Sequence, residues 1–201
     1  VYFQDCYPIN PLTETSSNVS INISNSEDFT DVNQTFLSCK VSIVQNDGTA
    51  ITTALAENAS YALTNLAGAS LWRSVNVYLG DQLLTDSFNC YPYTAYIQTC
   101  LSFGAEARNS ILALAHFYTD LHPSQRNAEA AATDCSFKTR ANLTNLSKEL
   151  RIITPIFNDL FNQNRLLPPL TPLRIELIRS SDDFAIISNI NNCACKVKMH
   201  A

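Results

Sequence analysis

Three sets of side chains in this chain are of types that could do chemistry: the histidines His116, His122 and His200, the pair Cys193-x-Cys195, and the acidic pair Asp182-Asp183. A structural or catalytic zinc needs about four ligands held tetrahedrally, which sequences supply as short repeated spacings. No two histidines lie at such a spacing. Cys193 and Cys195 share one face if the segment is a strand, but no second pair completes them. They read as buried or half-buried thiols, and no metal ligand is assigned. General acid–base work needs carboxylates whose environments separate their pKa values across a cleft. Asp182-Asp183 follow Ser180-Ser181 and read as a loop between strands. There is no Gly-x-Ser-x-Gly elbow, and four glycines in the whole chain make a backbone cradle for phosphates hard to build. The expectation is a protein that is not an enzyme, with no catalytic residue and no cofactor.

The aromatic run Tyr91-Pro92-Tyr93, with Tyr96, is the remaining candidate. Tyrosines can stack single-stranded bases, but such platforms are flanked by basic residues, and the nearest here, Arg73 and Arg108, are far off in sequence. Tyr91, Pro92, Tyr93 and Tyr96 are therefore candidates for packing or for subunit assembly. Elsewhere bases are dispersed too: residues 138 to 201 carry nine against five acids, interleaved, while residues 1 to 60 carry seven acids against Lys40 alone. No direct nucleic-acid contact is expected from that pattern.

At 201 residues, 46% hydrophobic and 15% charged, the chain can bury one good core, and a single domain over 1–201 is expected. Its apolar runs are far shorter than the roughly 20 residues a helix needs to span a bilayer, so no membrane span is expected. The cysteines Cys6, Cys39, Cys90, Cys100, Cys135, Cys193 and Cys195 form an odd set without framework spacing; with no signal peptide expected, they read as reduced thiols of an intracellular protein. Asn18, Asn22, Asn33, Asn58, Asn142 and Asn145 head Asn-x-Ser/Thr sequons, which would matter in a secreted product.

These residues are positioned by a series of short strands. Val19, Ile21 and Ile23 alternate with polar residues at the strand period. Thr35 to Val44 alternates again, with Phe36 on one face and Leu37, Cys39, Val41 and Ile43 on the other, closed by the turn Asp47-Gly48. Residues 49–70 read as a long loop ending in an apolar segment. Val75 to Thr85 reads as a hairpin about Gly80-Asp81. Pro92 suits the first turn of a helix. Tyr93, Tyr96, Ile97, Cys100 and Leu101 then make one apolar stripe, and Ala105 to Phe117 suggests a second short helix. This helical insertion, about 91–117, is expected to carry a small core of its own. A polar surface excursion is expected over about 119–145. Strands are expected at Leu150–Ile153, Ile156–Phe161, Leu166–Leu170, Leu173–Ile178, Phe184–Ser188 and Cys195–Met199, with prolines favouring edges and strand starts. The fold class is all-β with a small helical insertion, a jelly-roll β sandwich.

Asp47-Gly48-Thr49, Leu71-Trp72-Arg73-Ser74-Val75, the hairpin Val77 to Leu84, the Tyr-Pro-Tyr-x-Ala-Tyr-Ile run Tyr91 to Ile97, Phe157 to Leu166 and Leu173 to Phe184 occur in that order. In this the chain resembles the major capsid proteins of Maverick/Polinton elements and adintoviruses. It departs from their pattern at Thr94 and Gln98, where the family has a basic and an acidic residue. The resemblance implies the first barrel of a double jelly roll. It also implies a structural subunit that self-associates as a homotrimer into pseudo-hexagonal capsomers, tiles an icosahedral shell beside partners such as a penton, and resides in a virion assembled inside the host cell, in the nucleus or cytoplasm. The alternative class is a secreted jelly-roll carbohydrate-binding module, which would carry glycans on the sequons.

Overall fold

Alternating strands bury one face only if a second sheet covers it, and that requirement organises this chain. The computed structural model describes residues 2–10, 13, 16–23, 27–52, 61–120, 136–188 and 194–200. Nine strands are found among them: β1 (Asn18–Ile23), β2 (Phe36–Gln45), β3 (Tyr61–Leu63), β4 (Trp72–Leu79), β5 (Gln82–Thr85), β6 (Leu150–Pro155), β7 (Leu173–Arg179), β8 (Ile186–Ser188) and β9 (Cys195–His200). One sheet has the order β1-β7-β4-β5, a second β6-β2-β9, and a short pair β3-β8 stands beside them. Every pairing between these strands is antiparallel. Apart from the β4–β5 hairpin, successive strands lie in different sheets and pair with partners distant in sequence.

Register lines up the core. Val19, Leu177 and Val75 form one row across the first sheet, and Ile21, Ile175 and Val77 the next. In the second sheet Ile43 lies opposite Val197, and Cys39 opposite Ile152. These rows join a single hydrophobic cluster. Phe36 is half exposed, as its face predicts, but the alternation along β2 breaks at Val41, after which Ser42, Ile43 and Val44 are all buried. Ser42 can be buried because its hydroxyl lies 2.8 Å from His200 Nε2 on β9. The hairpin forms where expected, with Leu79 opposite Gln82 and Gly80 at φ 61°, a left-handed conformation that glycine adopts without strain.

Among the described residues six short helices decorate the sandwich: α1 (Ala67–Ser70), α2 (Tyr91–Ser102), α3 (Ala105–Asn109), α4 (Ile111–Leu114), α5 (Ser136–Thr144) and α6 (Asp182–Ala185). Several expectations are corrected here. The segment 49–70 is not loop throughout, because its described part contains β3 and α1, both fully buried. Ala105 to Phe117 is two helices broken at Ser110. Ile156–Phe161 is no strand and ends in a 3-10 turn, Asp159–Asn162, while Leu166–Leu170 makes only the bridge Leu167 to Thr30. Asp182-Asp183 open α6 in place of a loop, and Phe184 is helical. Within 119–145, residues 121–135 lie outside the described residues, and 136–144 form α5, which buries Phe137, Arg140, Ala141 and Thr144. A polar stretch can be buried this way when its polar groups find partners inside.

The helical insertion has no core of its own either: Tyr91, Ala95, Leu112, Ala115 and Phe117 join the main cluster. A separate small cluster does exist, but it joins Ala62 on β3 to Phe137 and Ala141 on α5, with Ile187 against it.

Candidate functional site

The apolar stripe of α2 points the opposite way from the sequence expectation. Tyr91, Pro92, Ala95 and Thr99 are the buried residues, whereas Tyr93 is 60% exposed, Ile97 58% and Leu101 82%. The two rows differ by two residues, about 200° round a helix of 3.6 residues per turn. Small side chains at 95 and 99 let the helix approach the sandwich closely, which leaves the large ones outside. Tyr96 lies between the rows, 39% exposed, its ring 6.0 Å from Phe117; Tyr93 meets Phe184 edge-on at 5.8 Å. Phe88 just before α2, Leu83 and Leu84 on β5, and Ile111 and Leu114 on α4 are exposed as well. No charged residue occurs from Phe88 to Ala105. What this surface can do chemically is desolvate against another apolar surface.

Tyr91 anchors the inner face. Its hydroxyl accepts from the Phe157 N–H at 3.2 Å, and burial pushes its pKa upward, so it stays neutral. Tyr91→Phe keeps the ring and removes the acceptor. The Phe157 N–H is then orphaned, and unfolding stability should fall by about 1–2 kcal/mol in a urea melt with unchanged slope. An unchanged midpoint would remove the anchoring role.

At the C-terminal end of α2 a groove of about 270 Å³ is lined by Gln98, Ser102, Phe103, Pro155, Ile156, Phe157 and Asn162. Arg108 caps that helix end, donating to the carbonyls of Phe103 and Cys100. The lining is apolar side chains, two amides and a hydroxyl.

The residue types that opened the sequence reading are scattered. His200 is tied to Ser42, with Glu149 3.6 Å from its other ring nitrogen. Cys195 is half-buried on β9, and Cys193 and His122 lie outside the described residues. Asp182 pairs with Arg179 at 3.0 Å and accepts from the Val197 N–H, so it joins α6 to β9. Desolvation pushes the Cys39 thiol up to about 12; it keeps its proton at neutral pH. Among the described residues no three His, Cys, Asp or Glu side chains are placed to hold a metal ion, and no helix is long and apolar enough to cross a membrane.

Sequence reasoning missed one group. Arg140, on α5, is 2% exposed, with Nε donating to the Leu63 carbonyl at 3.1 Å and Nη1 to Ser136 Oγ at 3.0 Å. Ser136 in turn bonds Asp120 at 2.6 Å. Beside it His116 is 1% exposed, at φ 61°, and neither ring nitrogen finds a partner among the described residues. Asn65 holds the adjoining backbone, donating to the Tyr118 carbonyl and accepting the N–H groups of Tyr118 and Leu66. The signal in the sequence was the spacing of Phe137, Arg140, Ala141 and Thr144, which puts an arginine on the inner face of a helix.

Taken as a class, the molecule is an all-β sandwich of the jelly-roll kind with small helical insertions. Neither protein-family models nor curated protein sequences match the chain. Among solved structures it is similar to a chain in the cryo-EM structure of the Sputnik virophage, with a TM-score of 0.53 and 12% identity over 98% of this chain and 45% of that one. The crystal structure of the mavirus major capsid protein aligns at a TM-score of 0.40 and 11% identity, again over 98% of this chain and 45% of that chain. The chain thus spans less than half the length of each.

Proposed function

We propose that this protein is a structural subunit of a viral or virus-like shell, a major capsid protein of the kind carried by Maverick/Polinton elements and adintoviruses. The observation that carries the reading is the outward row Tyr93, Ile97 and Leu101 on α2, uncharged and left to solvent beside a well-filled core. A row of that kind is stable in water when neighbours cover it. The fold shared with a chain of a virophage structure, over nearly all of this sequence but under half of that chain, supports the reading and fits one barrel of a double jelly roll. On this reading the subunit trimerises into pseudo-hexagonal capsomers, meets a penton protein in the shell, and resides in a virion assembled within the host cell. Tyr91 and Pro92 serve packing, Tyr93 serves assembly, and Tyr96 contributes to both. Catalysis, cofactors and direct nucleic-acid contact play no part.

The test is the solution mass of the protein by light scattering, with negative-stain images, for the wild type and for an Ile97→Asp, Leu101→Asp double variant. Wild type should form trimers or shells. Burying two carboxylates in an apolar contact is prohibitive, so the variant should be monomeric at tenfold higher concentration, with unchanged circular dichroism because neither residue is buried. A wild-type monomer with glycans on the exposed Asn18, Asn22, Asn33 or Asn142 would move the assignment to a secreted sugar-binding module.

A further inference from the structure

Below its outer surface the molecule holds a buried imidazole and, close enough to influence it electrostatically, a buried guanidinium carried by α5. Arg140 ties α5 to the Leu63 carbonyl on β3, and Phe137 and Ala141 of α5 form with Ala62 a small cluster apart from the main core. His116 presents two ring nitrogens with no partner to a site that already contains one fixed cation. We propose that His116 and Arg140 form an acid-sensitive latch, in which protonation of His116 expels Arg140 and frees α5 from β3 while the two main sheets stay intact.

The groups facing this site come from several elements. Arg140 on α5 is the nearby charge; Tyr118 meets the His116 ring edge-on at 5.5 Å; Tyr96 on α2 lies within reach of Arg140, Asp120 and Cys100. Among the described residues Asp120 supplies a carboxylate here, and its Oδ1 accepts from Ser136 Oγ. From the β3–α1 segment come only uncharged contacts, Asn65 and the Leu66 N–H, the latter bonded to the His116 carbonyl. Burial, with Arg140 adding to it, pushes the His116 pKa down to about 3 from an ordinary 6.5. The closed form therefore excludes a proton that the open form accepts below about pH 6.5. The closed form's advantage is complete above that value and is lost as pH falls toward 3, the open-to-closed ratio rising about tenfold per pH unit.

Hydrogen exchange read by mass spectrometry from pH 7.5 to 4.5, corrected for intrinsic rates, tests this. Peptides covering 136–144 and 61–66 should lose protection about tenfold per pH unit below 6.5, while 72–79 and 173–179 keep theirs. His116→Phe should flatten the pH dependence of the first pair. Loss of protection in all four at one pH, or an unchanged slope in the variant, overturns the latch. Should His116→Phe not fold, an NMR titration of the wild-type ring decides: an imidazole that titrates near 6.5 with α5 still protected is incompatible with it, and one that stays neutral until α5 loosens supports it.

Discussion

Replacing Arg140 with alanine is expected to lower the unfolding free energy by about 3–5 kcal/mol, the largest loss of any single truncation on α5. The side chain is 2% exposed, so its removal empties the volume of a long stem and takes a donor from the buried Leu63 carbonyl, while Ser136 Oγ keeps its bond to Asp120. An orphaned buried acceptor costs about 1–3 kcal/mol, and a cavity adds a further cost that scales with its volume. Against this stands the charge itself, which is expensive to bury and whose removal returns part of the loss. Arg140→Met separates the two terms, because methionine fills most of the stem volume without a charge. Its loss should be less than half that of alanine. Equal losses in urea melts would mean that the hydrogen bonds, and not the packing, hold α5. No loss in either would mean that Arg140 contributes nothing to stability. Measured against a typical total of about 5–15 kcal/mol, the alanine variant should be close to unfolding at physiological temperature.

Gly68→Ala should destabilise the protein by about 2–3 kcal/mol, a result opposite in sign to what helix propensity alone gives. Gly68 sits inside α1, where alanine is ordinarily favoured by about 1 kcal/mol. A Cβ at this position would lie 2.6 Å from Thr154 Cβ, 2.9 Å from its Cγ2 and 3.1 Å from Ile152 Cγ2. Thr154 is 1% exposed and paired with Leu37 in β6, so its own Cβ cannot yield without moving the strand. The clash therefore outweighs the propensity. A thermal melt of the variant should fall by roughly 5–10 °C on the scale of about 2–4 °C per kcal/mol for a domain of this size. Truncating Thr154 to alanine in the same chain should restore only part of it, since the nearest clashing atom remains. A rise in midpoint for Gly68→Ala would show that α1 stands farther from β6.

The readable parts of this chain share a physical basis. Val19 and Ile21, Val75 and Val77, and Leu173 to Leu177 alternate over a full strand, and a period of two places each side chain without knowledge of its partner. The hairpin at Gly80-Asp81 is local in the same sense. A segment of three residues such as β3 is too short to show a period, and it exists because it pairs with β8, whose strand was expected, across more than a hundred residues. β2 was half legible: its buried Ser42 depends on His200 from the far end of the chain.

What the sequence by itself determined, then, was the fold class, the strands of the two main sheets, the turn of the hairpin and the helical character of 91–102. Which face of α2 turns inward was decided by tertiary structure, because Ala95 and Thr99 permit a close approach that Tyr93, Ile97 and Leu101 would prevent. Apolarity ranks residues by what they gain on burial, whereas packing selects them by what fits. The burial of Arg140 and His116 was decided there too. A cation and an unpartnered imidazole look like surface residues until the carbonyl of Leu63 and the hydroxyl of Ser136, supplied by the folded chain, are in place to receive the guanidinium.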